Sequence, residues 1–256
     1  MTLSAQELSI IVPAFAAGAL VVATHVPLGM QVLARGIVFI DIAIAQIAGL
    51  GVVLAALLGF EPQGWAVQIS AFCAALVGAL VLNWTEKRHP EVQEPVIGVA
   101  FILAATASVI LLASSAHASE ELRDLLVGQI LWVRADRLLV TAIAYAAILL
   151  IWFSWRERIG RAGFYLLFAC AVTVSVQLVG LYLVFASLII PPLATRHMPR
   201  GRLAASYALG LAGFALGLIG SVVFDLPSGP VIVWALAVVG LLLNRLAGAK
   251  NVRGAG

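Results

Sequence analysis

Charged residues are scarce in this chain, and their scarcity excludes an ordinary soluble domain. Lysine, arginine, aspartate and glutamate make up 11% of the 256 residues, whereas soluble domains carry roughly a quarter. Hydrophobic residues make up 63%, and the mean hydropathy is +1.10. Several apolar runs approach the ~20 residues that a helix needs to cross a bilayer. The composition predicts an all-α, polytopic membrane protein that forms a single transmembrane domain over residues 1–256.

Residues suited to covalent, redox or phosphate chemistry are also few. Cys73 and Cys170 both lie in apolar runs, so we expect neither a disulfide framework nor a CxxC site. Lys87 and Lys250 are the two lysines, and neither follows a glycine-rich phosphate loop, so no P-loop ATP site is predicted. The basic residues are spread over loops, which does not suit nucleic acid. We therefore expect no enzyme activity, no bound cofactor and no nucleic-acid partner.

Apolar runs predict the transmembrane helices. They lie near 8–26, 36–60, 64–84, 95–115, 136–155, 202–224 and 229–247. No lysine or arginine precedes the first run, so we do not expect it to be a cleaved signal peptide. The region 163–195 is too long for one crossing and short for two, and Gly180 lies near its middle. We predict broken helices there, and about eight or nine transmembrane helices altogether.

The distribution of basic residues distinguishes the two counts. If 163–195 enters the membrane and returns, with the N-terminus outside, all 15 lysines and arginines except Arg123, Arg134 and Arg137 lie on the inner side. A single crossing would place both 87–88 and 156–161 outside, against the positive-inside rule. We therefore prefer nine short or broken spans, in contact with lipid throughout, with a cytoplasmic C-terminus.

Asp41 is the one acidic residue well inside an apolar run, ARGIVFIDIAIAQIAG at 34–49. Intramembrane acids are costly and usually functional, and carboxylate and amide oxygens suit a divalent cation in transit. Gln46 is the companion candidate, although a spacing of five aligns it with Asp41 only where the helix bulges or unwinds. The alternative is that Asp41 lies near the inner end of its helix and pairs with Arg35.

Histidines and an acidic pair provide weaker candidates. His25 comes at the predicted end of the first span, where an interfacial histidine is favoured over a metal ligand. His117, Glu120 and Glu121 share one face of an amphipathic outer helix predicted over 117–134. They form either a cation-binding outer mouth or a solvated charged face, and the second interpretation is preferred.

The stretch Val179–Arg202 combines an apolar run with a basic end. Proline removes a backbone donor and restricts the preceding residue, so Pro191 and Pro192 predict a bend or stop near Ile190. A basic, short-helix-like segment over 195–202 follows. It is either a docking surface on the cytoplasmic side or a loop that only obeys the positive-inside rule.

Four stretches together resemble one family. They are VLARGIVFIDIAIAQIAGLG (32–51), LRDLLVGQILWV (122–133), VGLYLVFASLIIPPLATRHM (179–198) and DLPSGPVIV (225–233). Their order and spacing resemble the permease subunits of bacterial ABC importers for zinc, manganese or iron. The resemblance covers nearly the whole chain.

The resemblance implies a permease for a divalent metal ion in the bacterial inner membrane. It implies a homodimer with two cytoplasmic ATPase subunits and an external or periplasmic metal-binding protein. It also implies that the end of the third stretch and the residues after it couple to the ATPase, through Pro191, Pro192, Thr195, Arg196, Arg200 and Arg202.

The sequence departs from the family in the second span. Many members read Gly-Asp-Ala-Leu-x-His there, whereas an ungapped match places Gln46 at the histidine and Ile42 at the aspartate, with Asp41 shifted by one. The imidazole that suits zinc is missing, so the metal is left open. A stand-alone secondary transporter or channel and a non-transporting membrane assembly protein are the alternative functions.

Overall fold

The structure is a computed structural model that describes residues 5–61, 64–112, 130–155 and 158–253. Within these ranges the regular elements are all helical, which confirms the predicted all-α membrane fold. The nine α-helices are α1 Ala5–Arg35, α2 Ile40–Leu57, α3 Trp65–Arg88, α4 Gln93–Leu112, α5 Ala135–Trp155, α6 Gly160–Val179, α7 Leu181–Ala194, α8 Arg202–Phe224 and α9 Ser228–Arg253. Seven of them are long and apolar enough to cross a membrane, and Leu181–Ala194 and Ser228–Leu243 are shorter apolar helices.

Small residues bring α1, α8 and α9 into close contact. Gly18 and Gly210 leave room for Phe214 and Val22, respectively, so α8 runs antiparallel to α1. Gly217 in turn packs against Ile232, which pairs α9 with α8. Close backbone approach through small residues is the usual way in which membrane helices associate, since lipid supplies no hydrophobic drive for it.

The region 163–195 forms two helices that meet at Gly180. This residue has φ 83° and ψ 161°, a conformation that is essentially restricted to glycine. Phe164, near the start of α6, lies under Arg35 at the end of α1. Ser175, further along α6, bonds to His25, earlier in α1. Helix α6 therefore runs antiparallel to α1. The predicted break in this region is confirmed.

Helix α7 leads back toward the end at which α6 began. Tyr182 lies beside Pro230 at the start of α9, whereas Ile190 lies beside Gly240 further along it. At 1.5 Å per residue, the 14 residues of α7 extend about 21 Å, less than the ~30 Å hydrocarbon core. The chain therefore enters and returns at one end, as the charge argument requires. We call this end, which carries Arg35, Arg88, Arg158 and Arg200, the basic end.

Proline does not end α1 where the sequence predicted. The predicted first helix stopped near residue 26, but α1 passes through Pro27 and continues to Arg35. Pro27 has no N–H to offer to the carbonyl of Ala23. The Tyr207 hydroxyl of α8 donates to that carbonyl at 3.1 Å instead. A tertiary hydrogen bond thus replaces the lost helical one.

The Pro191–Pro192 pair also lies within a helix. Of the predicted bend or stop near Ile190, the stop is therefore wrong. Helix α7 continues to Ala194. Pro192 leaves the carbonyl of Leu188 without its helical donor, and this carbonyl packs against Gly29 of α1, where an added Cβ would overlap it. The next residues form turns and bends up to the start of α8, not the predicted short helix.

Candidate functional site at the start of helix α2

Asp41 lies in the first turn of α2 and is fully buried. Its Oδ1 accepts a hydrogen bond from the Ile42 amide at 2.8 Å, while its Oδ2 is buried without a partner. The proposed pairing with Arg35 is not formed. The Arg35 guanidinium instead lies 4.4 Å from the centre of the Phe164 ring. The structure therefore leaves one carboxylate oxygen of Asp41 uncompensated inside the protein.

Glu94 is a second carboxylate at this place, and the sequence reasoning missed it. It lies in the first turn of α4, and its Oε1 accepts from the Phe39 amide at the start of α2, at 3.2 Å. Its Oε2 is buried without a partner, and its charge acts on Asp41 electrostatically. The available signal was a glutamate directly before Pro95 at the start of an apolar run.

Gln46 is not brought to Asp41. Helix α2 is regular from Ile40 to Leu57, so the local bulge that would align the two side chains is not formed. Five residues of a regular α-helix correspond to a rotation of about 140°. Gln46 is half-buried, on a different face from Asp41.

A polar network fixes the neighbouring helices at the basic end. The Gln93 amide nitrogen donates to the Leu82 carbonyl at 2.9 Å and lies 3.1 Å from the Tyr165 hydroxyl. Arg161 pairs with Glu86 at 3.6 Å. These contacts join α3, α4 and α6, and the position of Gln93 fixes the adjoining Glu94 beside α2.

His25 lies in the interior of the bundle, so the interpretation as an interfacial residue at a span end is wrong. It is fully buried, and its Nε2 lies 3.1 Å from the Ser175 hydroxyl. Its Nδ1 lies 3.0 Å from the Val21 carbonyl. Ser175 also bonds to Tyr145 of α5. Both ring nitrogens are engaged, so neither is free to bind a metal ion in this arrangement.

The candidate coupling residues divide into a buried and an exposed set. Pro191, Pro192 and Thr195 are buried, Arg202 is half-buried, and Arg196 and Arg200 are exposed. The Thr195 hydroxyl bonds to that of Ser206 at 2.6 Å, and Arg202 donates to the Pro192 carbonyl at 3.2 Å. The buried and half-buried residues thus hold the turn to α7 and α8. The exposed Arg196 and Arg200 present positive charge.

The proposed outer mouth lies outside the described residues. This applies to His117, Glu120, Glu121 and most of the predicted amphipathic helix. Among the residues that are described, no three or more histidine, cysteine, aspartate or glutamate side chains group as a metal site. At the start of α2, the buried Asp41 and the half-buried Glu94 each keep one oxygen without a partner.

Two membrane proteins are similar to this chain in sequence. One is an uncharacterized membrane protein of Synechocystis sp., 26% identical over 238 residues, which covers 84% of this chain and 83% of its own length. The other comes from the ycf23-apcF intergenic region of Cyanophora paradoxa, 22% identical over 204 residues, with 71% and 68% coverage.

Two solved structures share the fold. PsaBC from Streptococcus pneumoniae in complex with Fab superposes with a TM-score of 0.70 at 22% identity, covering 92% of this chain and 90% of that one. An inward-facing metal-chelate type ABC transporter gives a TM-score of 0.65 at 16% identity, with 93% and 85% coverage. The model of the ABC 3 transport family matches residues 7–162 and 157–246. The resemblance carried by the four stretches is confirmed: this chain belongs to the ABC 3 transport family.

Proposed function

We propose that this protein is the membrane-spanning permease subunit of an ATP-driven importer for a divalent metal ion of the zinc or manganese type. It works as a homodimer with two cytoplasmic ATPase subunits. An exported metal-binding protein delivers the ion from outside. The importer lies in the bacterial inner membrane, with the basic end in the cytoplasm.

The observation that carries this proposal is the buried carboxylate of Asp41. It lies inside a span of an ABC-family transport protein with one oxygen uncompensated. Ionisable groups in membrane spans generally mark substrate or ion pathways. A carboxylate oxygen is a hard ligand, which suits a divalent cation. A neighbouring structure that is named as a metal-chelate type ABC transporter shares the fold.

The partner subunits follow from what the chain lacks and from its basic end. The sequence has no P-loop, so a separate chain must hydrolyse ATP. Arg196 and Arg200 are exposed on the turn between α7 and α8. Thr195 and Arg202 fix this turn to the buried helices, so a force on it is transmitted to the bundle. A rigidly held, positively charged turn suits docking of an ATPase.

Reconstitution tests the transport proposal directly. The full chain is reconstituted in liposomes with the ATPase and the binding protein that copurify with it, and metal uptake and ATP turnover are measured together. We expect uptake that requires ATP and turnover that is stimulated by metal. Uptake that persists without ATP would favour a secondary transporter or channel. A chain that moves no divalent metal would favour a membrane assembly role.

Charge reversal of the exposed arginines tests the docking role. We expect Arg196→Glu with Arg200→Glu to abolish copurification of the ATPase, because both positive charges on the turn are inverted. Arg245→Glu is the control, since Arg245 is also exposed but lies on α9. Unchanged copurification in the double variant would reduce the turn to a topological signal.

A further inference from the structure

We propose that Asp41 and Glu94 together bind a hard divalent cation at the start of α2, with Glu94 as a second ligand from α4. This inference rests on the proposed function, because it assigns the ion-binding residues of that transporter. It adds a residue that lies outside the family-like motif of the second span and narrows the class of metal.

The hydrogen bonds of the two carboxylates support the site. Asp41 is completely buried, yet only one of its two oxygens has a hydrogen-bond donor. Glu94 comes from a different helix and bonds to the Phe39 amide, two residues before Asp41, and it too has one bonded and one unpartnered oxygen. The amides at the start of α2 thus satisfy half of each carboxylate and leave two oxygens available.

The negative charges of Asp41 and Glu94 also favour a bound cation. Burying an ionised group without a partner is expensive, and two like charges that interact make it more so. Glu86, by contrast, pairs with Arg161 at 3.6 Å. The nearby Arg35 is stacked on Phe164 instead of neutralising Asp41. A divalent cation would balance both carboxylates at once.

The donor atoms of Asp41 and Glu94 bear on the kind of metal. Both donors are carboxylate oxygens, and no histidine or cysteine joins them in a group among the described residues. Zinc favours nitrogen and sulfur ligands, whereas oxygen donors suit manganese, magnesium and calcium. His25 is committed to Val21 and Ser175. The donor set therefore suits a hard cation such as Mn²⁺ and lacks the nitrogen or sulfur ligand that zinc sites favour.

Manganese binding to the full chain in lipid nanodiscs tests this site without requiring transport. The loss of the free Mn²⁺ signal in electron paramagnetic resonance gives the dissociation constant. We expect Asp41→Asn and Glu94→Gln each to weaken binding by about tenfold or more, as expected when a metal site loses a supporting group. Glu91→Gln is the matched control, because Glu91 is exposed three residues earlier and should bind as the native chain does.

Glu94→Asp separates binding from a purely structural role. It keeps the charge but shortens the reach to Phe39. If Glu94 only caps α2, Glu94→Gln lowers the melting temperature and leaves Mn²⁺ affinity unchanged, which would overturn the site. If it binds the ion, Glu94→Asp recovers part of the affinity that Glu94→Gln loses. If the native chain in liposomes binds Mn²⁺ but shows no ATP-driven uptake, the proposed function is contradicted. The binding site is then still supported.

Discussion

Two of the polar groups between the helices differ in how completely their hydrogen bonds are satisfied. In the middle of the bundle, His25, Ser175 and Tyr145 bond to one another and to backbone carbonyls across α1, α5 and α6. At the start of α2, Asp41 and Glu94 each retain a buried oxygen without a partner. The first group is complete within the chain, whereas the second is not.

The difference separates polar side chains that hold the helices together from polar side chains that bind a ligand. Hydrogen bonds between membrane helices hold them together, and a satisfied network needs nothing further from outside. An unsatisfied buried carboxylate costs stability, so it persists where another ligand completes it. Burial alone would have ranked His25 and Asp41 equally. The state of their second polar atom distinguishes them.

The largest expected effect is that of Asp41→Asn on transport. The substitution keeps the side-chain volume but removes the charge that a divalent cation requires, so metal uptake per folded complex should fall by about tenfold or more. Stability should be maintained or rise, since an unpaired buried carboxylate is itself unfavourable. Uptake in liposomes and the melting temperature are measured on the same preparation. Full uptake with a lowered melting temperature would show that Asp41 is structural.

His25→Leu should show the opposite pattern. Removing the imidazole breaks the link from α1 to Ser175, and interhelical hydrogen bonds in membranes contribute up to about 2 kcal/mol. We expect a lower free energy of unfolding in detergent, with uptake per folded complex retained. Thr173→Val, on the α6 helix that carries Ser175, is the control, because the buried Thr173 hydroxyl has no partner to lose. A loss of uptake at unchanged stability would place His25 in the ion pathway.

Tyr207→Phe tests whether a satisfied backbone carbonyl behaves like the satisfied side chains. It removes the hydroxyl that donates to the Ala23 carbonyl opposite Pro27. We expect a loss of about 1 kcal/mol in the free energy of unfolding. Tyr182→Phe, at a half-exposed tyrosine, should cost less. Equal effects of the two variants would mean that the Tyr207 hydroxyl does not stabilise the bend at Pro27.

Gln46→His should have the smallest effect on total uptake and a measurable one on selectivity. The imidazole restores the residue type found in the family motif and provides a ligand that zinc favours. Because Gln46 and Asp41 lie on different faces of α2, we expect uptake to continue. The added imidazole should shift the preference toward zinc. Competition between Zn²⁺ and Mn²⁺ in the uptake assay measures it. An unchanged preference would indicate that Gln46 lies away from the ion path.

The sequence determined the class of fold, because a bilayer imposes strong constraints on composition and segment length. Apolar runs of about 20 residues predicted the helices, and the distribution of basic residues required 163–195 to return to the side from which it entered. Gly180 marked the break, since few other residues adopt its backbone conformation. The Asp41 carboxylate was identifiable because an acid in an apolar run is costly.

Only the tertiary structure decided how the helices pass their prolines and which acids meet. Pro27 and Pro192 each free a carbonyl, and whether the helix then continues depends on a neighbour that is distant in sequence: Tyr207 for the first and Gly29 for the second. Glu94 comes from another helix, 53 residues beyond Asp41 in the printed sequence. Local rules describe the backbone and the cost of burial. The partners that meet that cost are set by packing between helices.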